Sequence, residues 1–103
     1  MKRLYMYHVR LYRLYEVFND KIFYGRQAEE ALRSGPYIHY TNLALTGLHK
    51  RKLVKTAPRA EVREQFSDAD FRKHYRKLTE EGLKVAKDIE DNKGLLTMFL
   101  LRQ

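Results

Sequence analysis

The stretch "LTGLHKRKLV" (Leu45 to Val54) sets two leucines three positions apart, then four polar residues with three cations among them, then an aliphatic pair. Leucines at that spacing share one face of a helix, so the stretch reads as a helix end with a cationic exit. The following "KLVKT" (Lys52 to Thr56) has the β-branched content of a short strand, and "HYRKLT" (His74 to Thr79) can pair with it antiparallel. Next comes "LTEEGLKVA" (Leu78 to Ala86). Thr79 suits a helix N-cap, and Glu80 and Glu81 fall in the first turn, where the helix dipole favours acids. The capping box is incomplete, because Gly82 stands where a Glu or Gln is expected. With Leu83, Ala86 and Ile89 or Glu90 continuing the pattern, this helix runs to about Asp91.

Towards the N-terminus, Leu4, Tyr7, Leu11, Leu14 and Phe18 share one arc of a first helix, roughly Leu4 to Asn19, whose apolar surface is wider than one core face requires and leaves part for a partner. After the link "DKIFYG", the segment "RQAEEALRSGP" reads as a second helix. Ala28, Ala31 and Leu32 lie on one side of it, Gly35 is placed for the left-handed C-terminal position, and Pro36 stops continuation. A third helix, about His39 to Arg51, turns Thr41, Ala44, Leu45 and Leu48 inward. About seventeen residues separate the two strands, long for a hairpin loop. Within them Pro58 and "RAEVREQF" suit a helical turn, and Ser67-Asp68 suits the start of another turn carrying Phe71. Gly94 is expected to break the chain before the apolar tail "LLTMFLL" (Leu95 to Leu101), helix or strand.

The chain has 103 residues, the size of one ordinary domain. Its 21 Lys+Arg against 13 Asp+Glu give a formal charge of +8 and a pI near 9.8, a level that points to nucleic acid, with acidic membranes and acidic proteins as other partners. The excess is uneven. From Arg33 to Ala60 there is no acid, and Lys50, Arg51, Lys52, Lys55 and Arg59 fall within ten positions. The absence of cysteine removes disulfide frameworks and thiolate metal sites, and fits an intracellular, cytoplasmic protein. The seven-residue tail is far short of the roughly 20 residues that span a bilayer, so no membrane span is expected. His8, His39, His49 and His74 lack the spacing of a metal site, and no nucleophile motif or phosphate loop appears. Neither catalysis nor a cofactor is expected.

Helix, helix, turn, helix, strand, basic loop, strand, helix is also the element order of winged helix-turn-helix domains, and the chain resembles the MarR-, PadR- and ArsR-like regulators over nearly its whole length. Leu45, Leu48, Leu53 and Val54 match the family's L-x-x-L-x-x-x-G-L-V, except that Lys52 holds the glycine position. A left-handed turn there costs a Cβ penalty, or gives way to another geometry. Leu78, Thr79 and Gly82 match its L-T-x-x-G. The apolar tail, residues 95–103, is expected to be a dimerisation segment together with the tyrosine flank of the first helix, or else to fold back on its own core. The resemblance implies a mainly α fold with a small β-hairpin and a winged helix-turn-helix domain over residues 1–94. It also implies a sequence-specific, homodimeric transcription regulator bound to double-stranded DNA, with the third helix in the major groove and the wing on its flank.

On that reading His39, Tyr40, Asn42, Thr46, His49 and Lys50 lie on the outward or edge faces of the third helix. Asn42 suits a bidentate pair with adenine and Thr46 a thymine methyl, while Lys50 and Arg51 suit phosphates. Lys55, Arg59, Arg63, Arg72 and Lys73 are placed for minor groove or backbone. The plainer alternatives are that Lys50 and Arg51 complement the helix dipole, and that Glu61, Glu64, Asp68 and Asp70 pair with the wing cations. Two other functions stay open: a winged-helix module for a protein partner, and a non-specific architectural DNA binder.

Overall fold

A computed structural model describes residues 3–34 and 42–102, with Asn42 described by its backbone alone. The described chain is mainly helical with a small antiparallel sheet. Its order is α1 (Met6–Phe18), β1 (Phe23–Tyr24), α2 (Gly25–Arg33), α3 (Asn42–Lys50), β2 (Val54–Thr56), α4 (Arg59–Gln65), β3 (Tyr75–Leu78), α5 (Glu80–Asp91) and α6 (Lys93–Leu101). The strands lie in the order β1-β3-β2, with Val54 opposite Leu78, Thr56 opposite Arg76, and Phe23 on the other side of Arg76. None of the described helices is long and apolar enough to cross a membrane.

The leucine spacing in α1 does what its periodicity requires. Leu11 and Leu14 are fully buried against Ala28 and Leu32 of α2, Ala44, Leu45 and Leu48 of α3, and Val54 and Leu78 of the sheet. The width of α1 is used within the same molecule. Val9 and Tyr12, on its other flank, meet Ile89 of α5 and Leu96 of α6 in a second cluster, joined by Leu95, Phe99 and Leu100 at its margin. The apolar tail is therefore a helix with one face in the core. The break that frees it lies at Asn92, not Gly94, which sits inside α6; the Asn92 amide donates to the Asp88 carbonyl and ends α5 there.

One stretch expected as a connection carries a strand, and the helical turn expected after Pro58 forms as α4. In "DKIFYG", Phe23 is fully buried and stacks on Phe18 with ring centroids 4.8 Å apart, so its strand becomes the sheet's edge. Strand alternation has no room to show itself in two residues. Between β2 and β3, α4 lies over the outer face of the sheet, where Ile22, Ala57, Val62 and Tyr75 form a third cluster with Tyr24 and Phe66. Gln65 fastens this layer: its amide donates to the Ile22 carbonyl at 2.8 Å and its oxygen accepts from the Ile22 N–H at 3.0 Å. The helical core thus packs on the inner face of the sheet and α4 on the Tyr24–Tyr75 end of the outer face, where Lys55 of β2 stays exposed.

The two motifs of the resemblance meet in space. Helix α3 ends with the Leu53 N–H bonded to the Leu48 carbonyl and the Lys52 N–H to the His49 carbonyl, both at 3.0 Å, around Lys52 at φ 59°. This is a Schellman closure with lysine at its left-handed position, and buried Leu48 and Leu53 supply the accompanying apolar contact. Residues 52 and 53 then receive the start of α5. The Thr79 hydroxyl donates to the Lys52 carbonyl at 2.7 Å and accepts from the Gly82 N–H at 2.9 Å, while the Thr79 N–H reaches the Leu53 carbonyl at 3.0 Å. Because the left-handed conformation strains a Cβ, Lys52→Gly should stabilise the fold by roughly 0.5–1 kcal/mol, relief of strain exceeding the entropy glycine adds to the unfolded chain. A urea midpoint that falls instead of rising would show that Lys52 makes a compensating contact.

Candidate nucleic-acid interface

Helix α3 buries Ala44, Leu45 and Leu48 and turns Leu43, Thr46 and Lys50 outward. Thr46 and Lys50 are exposed, as their positions on the helix require. Leu43, 74% exposed, makes that face partly apolar. His39 and Tyr40 lie outside the described residues, and Asn42 opens the described helix.

His49 sits at the edge, half-buried, and its Nε2 accepts a hydrogen bond from Arg76 Nε at 2.9 Å. Burial, and then the Arg76 charge, hold its pKa below the ordinary histidine value. As a neutral acceptor it joins α3 to the centre of the sheet, so its first structural role is to position the helix.

Arg51 makes the helix-end contact expected of it and a ring contact that the sequence does not show. Its Nη1 donates to the Gly47 carbonyl at 3.2 Å, satisfying the C-terminal end of α3, and its guanidinium lies 4.2 Å from the centre of the Tyr7 ring. The Tyr7 ring in turn lies tilted against that of His8, centroids 4.1 Å apart; His8 is buried, and its Nδ1 accepts from the Tyr5 N–H at 2.9 Å and so caps α1. Burial and then Arg51 keep the His8 pKa low. The charge of Arg51 is thereby fixed in position at the exit of α3 while the residue as a whole stays exposed.

The cations between β2 and β3 are held in different ways. Lys55 is exposed on β2, opposite Lys77, whose Nζ pairs with Glu61 at 3.2 Å. Arg59 and Arg63, one turn apart on α4, rest their guanidinia 4.9 and 5.3 Å from the centre of the Phe71 ring. Lys73 Nζ lies 4.4 Å from the centre of the Tyr24 ring. Arg72 grips Asp70 through two bonds of 3.1 Å, and these, with its backbone N–H, hold the Asp70 carboxyl below the usual carboxylate range. Of the acids expected to neutralise the wing, Asp70 and Glu61 do pair, Asp70 across a turn and Glu61 across to β3 rather than along α4. Aromatic rings hold Arg59, Arg63 and Lys73 instead, which keeps their charge uncancelled by those contacts.

Sequence reasoning missed Tyr24, Arg26, His74 and Arg76. These line, with Gly25 and Lys73, a cleft of ≈ 360 Å³ beside α2. They are about fifty positions apart in the chain and meet because Tyr24 pairs with Tyr75. The only signal that would have joined them is the β1–β3 pairing, and "DKIFYG" hides it. Among the described residues no group of three His, Cys, Asp or Glu is arranged to hold a metal ion. Comparison with models of known families, with curated proteins and with solved structures finds no match to this chain.

Proposed function

We propose that the chain is a winged helix-turn-helix transcription regulator that binds duplex DNA sequence-specifically as a homodimer. Helix α3 enters the major groove, and the α4-braced segment between β2 and β3 acts as the wing on its flank. The observation that carries this reading is the set of exposed cations at the exit of α3 and in the segment between β2 and β3. Lys50 and Arg51 stand at the end of α3, Lys55 is exposed on β2, and Arg59, Arg63 and Lys73 are held by aromatic rings. Preset cations lose little conformational freedom on meeting phosphates, whose neutralisation dominates DNA affinity. The order of helices and strands is that of the family, with β1, α4 and α6 in addition.

Substitutions on the two surfaces test it because they should differ in kind. Asn42→Ala should lose about 1–3 kcal/mol of discrimination at one base pair, while Lys55→Ala should weaken every sequence alike. Equal losses for both variants on specific and random duplexes would favour the architectural reading. Leu43 favours a second reading, an interaction module for a protein partner, since it places an exposed apolar side chain on the outward face of α3, in its first turn.

The proposed dimer uses the face of α6 that the core leaves uncovered, where Met98 is 50% and Leu101 80% exposed. Removing the whole tail would also remove Leu96 from the core, so a point change is the cleaner probe. Leu101→Glu should leave stability within about 0.5 kcal/mol of the parent and shift the protein from dimer to monomer in light scattering. Parent protein that is already monomeric at micromolar concentration would contradict the dimer.

A further inference from the structure

At the open edge of the sheet, β1, the first turn of α2 and the chain entering β3 converge on the ≈ 360 Å³ cleft lined by Tyr24, Gly25, Arg26, Lys73, His74 and Arg76. Three of these side chains are cationic, one is an imidazole and none is acidic. The cations come from three different elements, so no helical periodicity gathers them; the pairing of Tyr24 with Tyr75 and Phe23 with Arg76 does. Two are already oriented: Lys73 lies on the Tyr24 ring, and Arg76 is fixed through Nε by His49. Arg26 makes a 3.5 Å pair with Glu30 in which both side chains are largely exposed. Such a pair is weak in water, so the guanidinium turns toward an anion in the cleft at little cost.

Like charges gathered around a concave surface repel one another, and an anion between them converts that repulsion into attraction. Two guanidinium forks beside an ammonium match the spread oxygens of a phosphate better than a single carboxylate. We propose that this cleft seats a phosphate group, with Arg26, Lys73, His74 and Arg76 as its ligands. The proposal rests on the DNA reading for one source of that phosphate, the backbone of a bound duplex; a free phosphate-bearing small molecule is the other. Since Arg76 also holds His49 on α3, occupancy of the cleft is linked to the position of that helix.

The test compares full-length protein with an Arg26→Gln, His74→Gln double variant, both positions being exposed. Amide shifts are followed by NMR at constant ionic strength, with inorganic phosphate in one titration and a mixed-sequence duplex in the other. Inorganic phosphate should shift the amides of residues 24–26 and 73–76 saturably in the parent and bind about tenfold more weakly to the variant. The variant should also lose duplex affinity, with a slope of log affinity against log salt shallower by about one. A changed slope without a phosphate shift identifies the DNA backbone as the source, and a phosphate shift with unchanged duplex binding identifies a free anion; both uphold the seat. Neither effect, with parent duplex binding intact, overturns the seat and leaves the DNA reading standing. If the parent binds no duplex, the DNA reading fails and the phosphate titration alone decides the cleft.

Discussion

Gly82→Ala should destabilise the fold by about 3 kcal/mol, although alanine is the better helix former by about 1 kcal/mol. A Cβ at this position would stand 2.1 Å from the Leu53 carbonyl oxygen and 3.1 Å from its carbon. These are backbone atoms in the closing turn of α3, and no rotamer change moves them away. Relief requires the first turn of α5 to lift from residues 52 and 53. That lengthens the bonds from Thr79 to the Lys52 and Leu53 carbonyls, each contributing about 0.5–1.5 kcal/mol. Overpacking and bond loss together outweigh the helix-propensity gain. Urea unfolding should show a much lower midpoint with the slope retained. A loss under about 1 kcal/mol would mean that α5 is not anchored at this contact. Because a small domain has only about 5–15 kcal/mol in hand, this one methyl group removes a large share of its stability.

The same glycine shows how far the sequence could be read. Its occurrence in place of a capping-box Glu looks like a defect on the chain, and in space it is the requirement of a backbone passing at contact distance. Thr79 as N-cap and the inward leucines of α1 and α3 were legible because the cause is local: a hydroxyl facing its own helix start, and a period of 3.6. Lys52 was legible as a strained position, and the strain is present at φ 59°. What stayed hidden depends on distant partners. Strand β1 is two residues long and exists because Phe23 fits beneath Phe18 and pairs with β3. Helix α4 follows Pro58 as expected, but its place over the sheet depends on Gln65 finding the Ile22 backbone. For the candidate interface, the outward positions of α3 followed from periodicity. The holding of Arg51 by Tyr7, of Arg59 and Arg63 by Phe71 and of Lys73 by Tyr24 did not, since no local pattern pairs a cation with a ring so far away.

The largest effect expected of the intact protein is the salt dependence of its binding to duplex DNA. Lys50, Arg51, Lys55, Arg59, Arg63 and Lys73 are six cations on the proposed surface, with Arg72 set aside because Asp70 neutralises it. If each meets one phosphate, log affinity should fall with log salt at a slope near −0.9 per contact, so about three orders of magnitude are lost between roughly 50 and 200 mM salt. Aromatic and dipole contacts within the protein do not share this steepness, because they release no counterions from DNA. A fluorescence-anisotropy titration of full-length protein against a mixed-sequence duplex over that salt range measures the quantity directly. Binding should be tight at the low end and roughly thousandfold weaker at the high end; absence of binding at about 50 mM salt, or an affinity indifferent to salt, would contradict a DNA-binding function.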